Sequence, residues 1–290
     1  MTNETIEIYP SDDLVFKRIF GDKRNTNVLK SLLKSILNFD DDELSKLEII
    51  ESSSKIDKSE NEEEVDKITI LDVKCTTKSG KIIGIELQVA RDTTMRSRVL
   101  YSNAKTLVQQ LKKGSKYSDL KEVITIVIST EHVIIKECND YKYCFNFYDA
   151  EHKIKLNNLV RIYFLEFQRI PEEINEDEDL INWLKFIGSK SEEEIKKMST
   201  KSPELKEAVS LYEELIGNDG FREEVWKREE AKIRVKSMVY DAKIEGKIEG
   251  KIEEKIEIAR EMLEDGLPVE KIAKFTKLSI EEIKNLSKEL

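Results

Sequence analysis

The chain has 290 residues, 37% of them charged, and a formal net charge of -10. That length accommodates one catalytic-size core plus a smaller extension, and the negative balance excludes a uniformly basic nucleic-acid binder. Three cysteines (Cys75, Cys138 and Cys144) without a C-x-x-C pair argue against a zinc cluster and fit reduced, buried thiols.

The start is polar, with Glu4 and Glu7 where a signal peptide needs positive charge, and no apolar run has membrane-spanning length. The expectation is a soluble, cytoplasmic protein. Glycine-rich phosphate loops are absent, so no nucleotide cofactor is expected. His132 and His152, the only histidines, do not form a triad with Ser or Cys. The charge is segregated, however. Residues 14–38 carry six lysines and arginines against Asp22, residues 91–121 carry eight against Asp92 and Asp119, and residues 39–66 are the acidic counterweight.

In chain order, Ser11, Asp12 and Asp13 offer capping oxygens to a helix over 14–20 that Gly21 ends. A second helix carries Val28, Leu29, Leu32, Leu33, Ile36 and Leu37 on one face. A first strand is expected within 44–50, and residues 52–64 read as a polar loop. Two apolar stretches, 68–76 and 82–89, then form a hairpin around Lys78, Ser79 and Gly80. A long helix over 94–113 follows, ended by Gly114. Its expected apolar stripe is Leu100, Ala104, Leu107 and Leu111, and a basic row of Arg98, Tyr101, Lys105, Gln109 and Lys112 lies opposite. Residues 123–129 are a β-branched run that reads as a fully buried strand, with further strands over 143–147 and 159–167. The pattern predicts an α/β core.

The acidic break at 171–179 is taken as the end of a core domain covering 1–170, followed by a helical connector over 171–241 and a unit over 242–290. Residues 242–257 repeat Lys-Ile-Glu-Gly, with isoleucines 244, 248, 252 and 256 in register. The in-register lysines and glutamates are never three or four apart, and Gly246 and Gly250 each cost about 1 kcal/mol in a helix. A partner helix would supply what the repeat lacks, so a homodimer through this region stands beside a solvated spacer. Beyond it, helices over 256–264 and 269–275 and a Ser279/Glu282 capping box make a three-helix unit with helix-turn-helix layout. Its six basic against eight acidic residues argue against a DNA reader.

The chemistry converges on the hairpin. The midpoint between Asp72 and Glu86 is residue 79, inside the turn, so the two acids are expected to pair directly, with Cβ atoms about 5 Å apart. Such a pair repels unless something positive lies between. Two carboxylates and the Leu87 carbonyl suit a magnesium ion, with manganese as the alternative; Gln88 stands where a group orienting water or phosphate belongs. Arg98, Tyr101, Lys105 and Lys112 on the next helix suit a DNA backbone. The competing reading is two acids on a solvated strand face.

Several runs together resemble the recombination-promoting nuclease (Rpn) group, the PD-(D/E)xK nuclease family transposases. They are Asp13-Leu14-Val15-Phe16-Lys17 with Phe20-Gly21, Leu71-Asp72-Val73-Lys74, Ile85-Glu86-Leu87-Gln88 with Gly80, Arg98 to Tyr101, and Gln110 to Gly114 with Tyr117. The resemblance spans residues 9 to about 170 and extends to the helical tail. It implies a restriction-endonuclease-like mixed sheet flanked by helices, an all-helical C-terminal extension, and Mg²⁺-dependent hydrolysis of DNA phosphodiesters. Carried over by position, Asp72 and Glu86 match the metal-binding acids and Gln88 stands at a position often held by lysine. Asp13 matches an acid on the first helix, with Lys17 as a nearby cation; whether Asp12 or Asp13 faces the metal is open at this point. The alternative is a catalytically inactive DNA-binding or oligomerisation module.

Overall fold

The computed structural model describes residues 7–50, 72–172 and 177–289. The expected strand portion 68–71 and the loop over 52–64 lie outside them. Two compact units divide the chain, Met1–Arg222 and Glu223–Leu290.

The first unit is organised by one strand. β-Branched residues at almost every position of the Val123–Ser129 segment favour extended backbone, and all seven residues are buried. A strand buried on both faces needs helices above and below it. Around it lies a six-stranded mixed sheet in the order β1-β2-β3-β4-β6-β5. The strands are β1 (Glu48–Ile50), β2 (Val73–Thr76), β3 (Ile82–Gln88), β4 (Val123–Ser129), β5 (Lys142–Phe145) and β6 (Val160–Glu166). β3, β4 and β6 run parallel, whereas β1, β2 and β5 add antiparallel edges. The hairpin register is the one its turn predicts, with Val73 opposite Ile85 and Thr76 opposite Ile82. Gly80 supplies the positive φ, 85°, that the turn requires. Glu43 locks this turn from outside: it accepts hydrogen bonds from Thr77 and from the Ser79 hydroxyl (2.6 Å), and pairs with Lys81 at 3.2 Å.

Helices cover the two faces differently. α3 (Met95–Val108) connects β3 to β4 and packs on β4 and β6, where Met95 and Val99 meet Val127, Val160, Ile162 and Phe164. The stripe expected on this helix is corrected: Leu100 is half exposed, and the buried positions are Met95, Val99, Ser102, Asn103 and Thr106. Polar residues occupy the inner face because Asn103 donates to the Thr125 hydroxyl (2.9 Å) and the Val123 carbonyl (3.2 Å). The helix also stops at Val108, so Lys112 lies beyond its end. On the other side, α1 (Asp13–Phe20) and α2 (Thr26–Leu37) pack with one another and with α6 (Pro203–Gly217), α2 also packs on α4 (Glu178–Gly188), and α5 (Glu192–Met198) packs on α4 and α6. Phe16, Phe20, Trp183 and Phe186 form a chain of aromatic contacts there. Helices α4, α5 and α6 lie beyond the break expected at 170 and belong to the unit ending at Arg222.

Of the three thiols, only Cys75 is buried; the expectation of burial is corrected for Cys138 and Cys144, which are exposed. No described helix is long and apolar enough to cross a membrane.

Helix α7 (Asp219–Glu264) extends from the end of the first unit through most of the second as 46 continuous residues. The Lys-Ile-Glu-Gly repeat lies within it, and Ile244, Ile248 and Ile252 are exposed. Gly266, at φ 74°, stops this helix. α8 (Val269–Thr276) and α9 (Ile280–Glu289) then pack with its last turns around Ala259, Ile272, Ile283 and Leu286. The capping box is present, Ser279 N–H donating to Glu282 at 2.7 Å and Glu282 N–H to the Ser279 hydroxyl at 3.2 Å.

Candidate active site

Side chains alternate across a sheet, so register decides which helix each strand residue meets. Glu86 pairs with Val127 and Val127 with Phe164, both members of the cluster under α3. Glu86 therefore points at α3, where Arg98 forms a short ion pair with its Oε1. The same guanidinium donates to Gln88 Oε1 at 3.2 Å and pairs with Asp92 at 3.2 Å. Gln88 also donates through its amide nitrogen to the Ala90 carbonyl. Glu86 is only 7% exposed, and its Oε2 is buried with no hydrogen-bond partner. Burial raises the Glu86 carboxyl above its ordinary range, and Arg98 opposes that rise.

Asp72 arrives differently. Its N–H donates to the Ile85 carbonyl at 2.9 Å, although Ile85 is already the partner of Val73, so the ladder breaks by one residue. Regular pairing therefore ends at Val73, and Asp72 lies just outside the strand. Instead of facing Glu86 in a regular pair, the Asp72 carboxylate accepts the Leu87 N–H at 2.7 Å and pairs with Lys17 of α1 at 3.1 Å. Lys17 is shared with Asp13, 2.8 Å away and one helical turn earlier. Burial pushes Asp72 up to about 6; the Leu87 amide and Lys17 hold it down, while hydrogen bonding and charge from Asp13 push it up. Asp12, by contrast, accepts the Tyr9 N–H at 2.7 Å, so Asp13 is the acid of the pair that shares Lys17 with Asp72.

The expected residues thus gather into two adjoining clusters, Asp13 and Lys17 of α1 with Asp72, and Glu86 and Gln88 of β3 with Arg98 of α3, joined through Leu87. Each acid has its own side-chain cation, Lys17 on Asp72 and Arg98 on Glu86. Among the described residues, no three His, Cys, Asp or Glu side chains group closely enough to hold a metal by themselves. An oxygen-only set of Asp72, Glu86 and the Leu87 carbonyl nevertheless has the chemistry of a Mg²⁺ or Mn²⁺ site. The unpartnered Glu86 oxygen and the raised Asp72 carboxyl are the groups that such an ion would satisfy.

Of the residues assigned to DNA, Tyr101 is exposed and Lys105 half-buried on α3, Lys112 is exposed past its end, and Arg98 turns inward onto Glu86. Asp92, the second carboxylate on Arg98, was not anticipated; its one sequence signal is its placement between the strand carrying Glu86 and the helix carrying Arg98.

Residues 10–242 match the family model of the PD-(D/E)XK nuclease family transposases, a span covering most of the chain. The chain belongs to this family. Residues 253–288 match a second model, the C-terminal helix-turn-helix domain of the Rpn/YhgA-like nuclease family. No curated protein and no solved structure matches the chain. The mixed sheet with flanking helices is the fold that PD-(D/E)XK membership implies, and nucleases of this kind generally use divalent metals. The second match corrects the reading of the tail: its acidic balance argued against a DNA reader, but the layout is that of a DNA-binding type of domain. Helix packing, which composition does not report, defines that layout.

Proposed function

We propose that this PD-(D/E)XK protein is a Mg²⁺-dependent DNA endonuclease, with Mn²⁺ as an alternative ion, that acts in the cytoplasm. Supporting this reading above all is the buried Glu86 oxygen without a partner, one residue along the strand from the amide that ties down Asp72. Asp72, Glu86 and the Leu87 carbonyl would hold the ion, which when bound supplies Lewis-acid stabilisation of charge at the scissile phosphate. Asp13 and Lys17 fix the Asp72 carboxylate, and Lys17 brings a cation that counters charge developing on phosphate oxygens. Arg98 holds Glu86 in place, and Gln88 is the next polar group along the strand to meet water or phosphate. Tyr101, Lys105 and Lys112 contact the DNA backbone, and the helix-turn-helix unit adds a second DNA contact. The Ile-bearing repeat of α7 pairs two copies.

Purified protein should nick or cut plasmid with Mg²⁺ and stop with chelator, and Asp72→Ala should lose cutting while remaining folded by circular dichroism. Equal cutting by that variant rejects the assignment. One observation favours a second reading, a catalytically silent DNA-binding module: Asp72 and Glu86 each already have a side-chain cation, Lys17 and Arg98. DNA binding indifferent to metal, without cutting, is the outcome this reading predicts.

A further inference from the structure

Next to the candidate site, past the ends of β3 and β4, lies a cavity of about 270 Å³. Gln88 and Met95 line it, and both also contact Arg98, so the cavity adjoins the Glu86 cluster directly. Ala90, Val133 and Ile134 give it apolar surface and Arg91 and Lys136 exposed cations, while its two carboxylates, Asp92 and Glu137, are paired with Arg98 and Arg96.

The loop forming one wall is held by side chains from several elements. Glu166, fully buried on β6, accepts the Ile134 N–H at 2.8 Å and the Ile135 N–H at 2.7 Å. Arg96 donates to the Ile134 carbonyl at 3.1 Å, Arg169 to the Ile135 carbonyl at 2.6 Å and Gln168 to the Thr130 carbonyl at 2.8 Å. Ser129 donates to the His132 carbonyl. Side chains from α3, β4, β6 and the turn after β6 thus fix the backbone of 130–135. Burying a carboxylate for this purpose is costly unless it is satisfied, and a wall fixed in advance lowers the ordering cost of binding.

The volume lies just below the roughly 300–1,000 Å³ of pockets for drug-sized ligands, which suits one nucleotide rather than a stretch of helix. We propose that this cavity takes up a single unpaired nucleotide of the DNA strand beside the scissile phosphate. The base lies against Ala90, Val133 and Ile134, and Arg91 and Lys136 answer its phosphate. The proposal rests on the nuclease reading and adds a substrate class to it: DNA with an unpaired or displaced nucleotide. Drawing a paired base out of a duplex costs a few kcal/mol, a cost that an already unpaired base largely avoids.

The test measures binding by fluorescence anisotropy, using the full chain in chelator so that nothing is cut. Three duplexes of one sequence are compared: fully paired, with one unpaired adenine, and with an unpaired abasic residue at the same place. The unpaired adenine should bind about tenfold tighter than the other two. Val133→Trp, which fills the cavity, should remove that preference and leave paired-duplex affinity unchanged; the exposed Lys136→Glu should weaken binding of the unpaired duplex most. Equal affinity for all three duplexes overturns the proposal, as does an abasic duplex that binds like the adenine one. If plasmid cutting with Mg²⁺ persists without discrimination, the cavity proposal alone falls; if binding and cutting are both absent, the nuclease reading falls with it.

Discussion

Asp72, partly buried, and Glu86, buried, are carboxylates at one end of the sheet, each with a cation beside it, yet they are held in different ways. Glu86 sits in the regular register, points at α3 and meets a guanidinium that also holds Gln88 and Asp92. Asp72 sits where the register breaks, is drawn to α1 and shares one ammonium with a second acid. The α3 side is therefore a fixed ion-pair network with one spare carboxylate oxygen. The α1 side is a proton-sensitive pair of acids. Burial raises both carboxyls, so a divalent ion held by them would depend on pH through Asp72 and Glu86 alike.

The largest expected effect breaks the α1 side. Asp72→Ala should lower Mg²⁺-dependent plasmid cutting by about a thousandfold or more, because it removes a proposed ligand and one of the two partners of Lys17. Its thermal midpoint should hold or rise, since a costly buried charge is gone. Next comes the α3 side: Arg98→Ala leaves Glu86 buried beside Asp92 without its guanidinium. That variant should lose about 2–3 kcal/mol in urea unfolding, whereas a loss near zero means that Glu86 escapes to solvent.

The proton-sensitive pair gives a pH signature. Asp72 is raised from 3.8 to about 6, so without metal the folded chain binds the proton more tightly than the unfolded one. Stability should then fall as pH rises through the window between those values. Metal affinity has the opposite slope, weakening as pH drops below about 6 because the ligand must lose its proton. Lys17→Met should move that metal-binding midpoint upward, and an unmoved midpoint means that Asp72 does not set it. The smallest effect concerns the far end of the hairpin. Partial burial pushes Glu43 up, but Ser79, Thr77 and Lys81 hold it at about 2, below its ordinary 4.5. Its contribution is present above 4.5 and lost as pH falls toward 2. Glu43→Gln should cost about 1–2 kcal/mol at neutral pH and leave metal binding unchanged.

What the sequence revealed follows from local physics. The Val123–Ser129 run, the hairpin with Gly80 in its turn and the Ser279/Glu282 box were legible because propensity, turn chemistry and capping act over a few residues. The face of α3 was not: Leu100 and Leu107 outweigh Ser102, Asn103 and Thr106 on any hydropathy count. Only the sheet's carbonyls and the Thr125 hydroxyl make Asn103 an inward residue. The pairing of Asp72 with Glu86 was legible as register but not as geometry, because the Asp72 contacts, the Leu87 N–H and Lys17 of α1, are made just outside the strand and across elements. For the same reason Arg98 read as a surface cation, its distance from Glu86 along the chain concealing their contact across the face. The tail's helix-turn-helix layout was visible, whereas its charge balance pointed away from the family it matches.

The central claim is that Asp72 and Glu86 together hold one divalent ion. Calorimetric titration of Mn²⁺ into the full chain and into Asp72→Ala and Glu86→Ala variants tests it most directly. The account predicts a single saturable site in the parent that disappears in both variants, with circular dichroism unchanged. Binding that survives either substitution, or two sites lost one at a time, contradicts it.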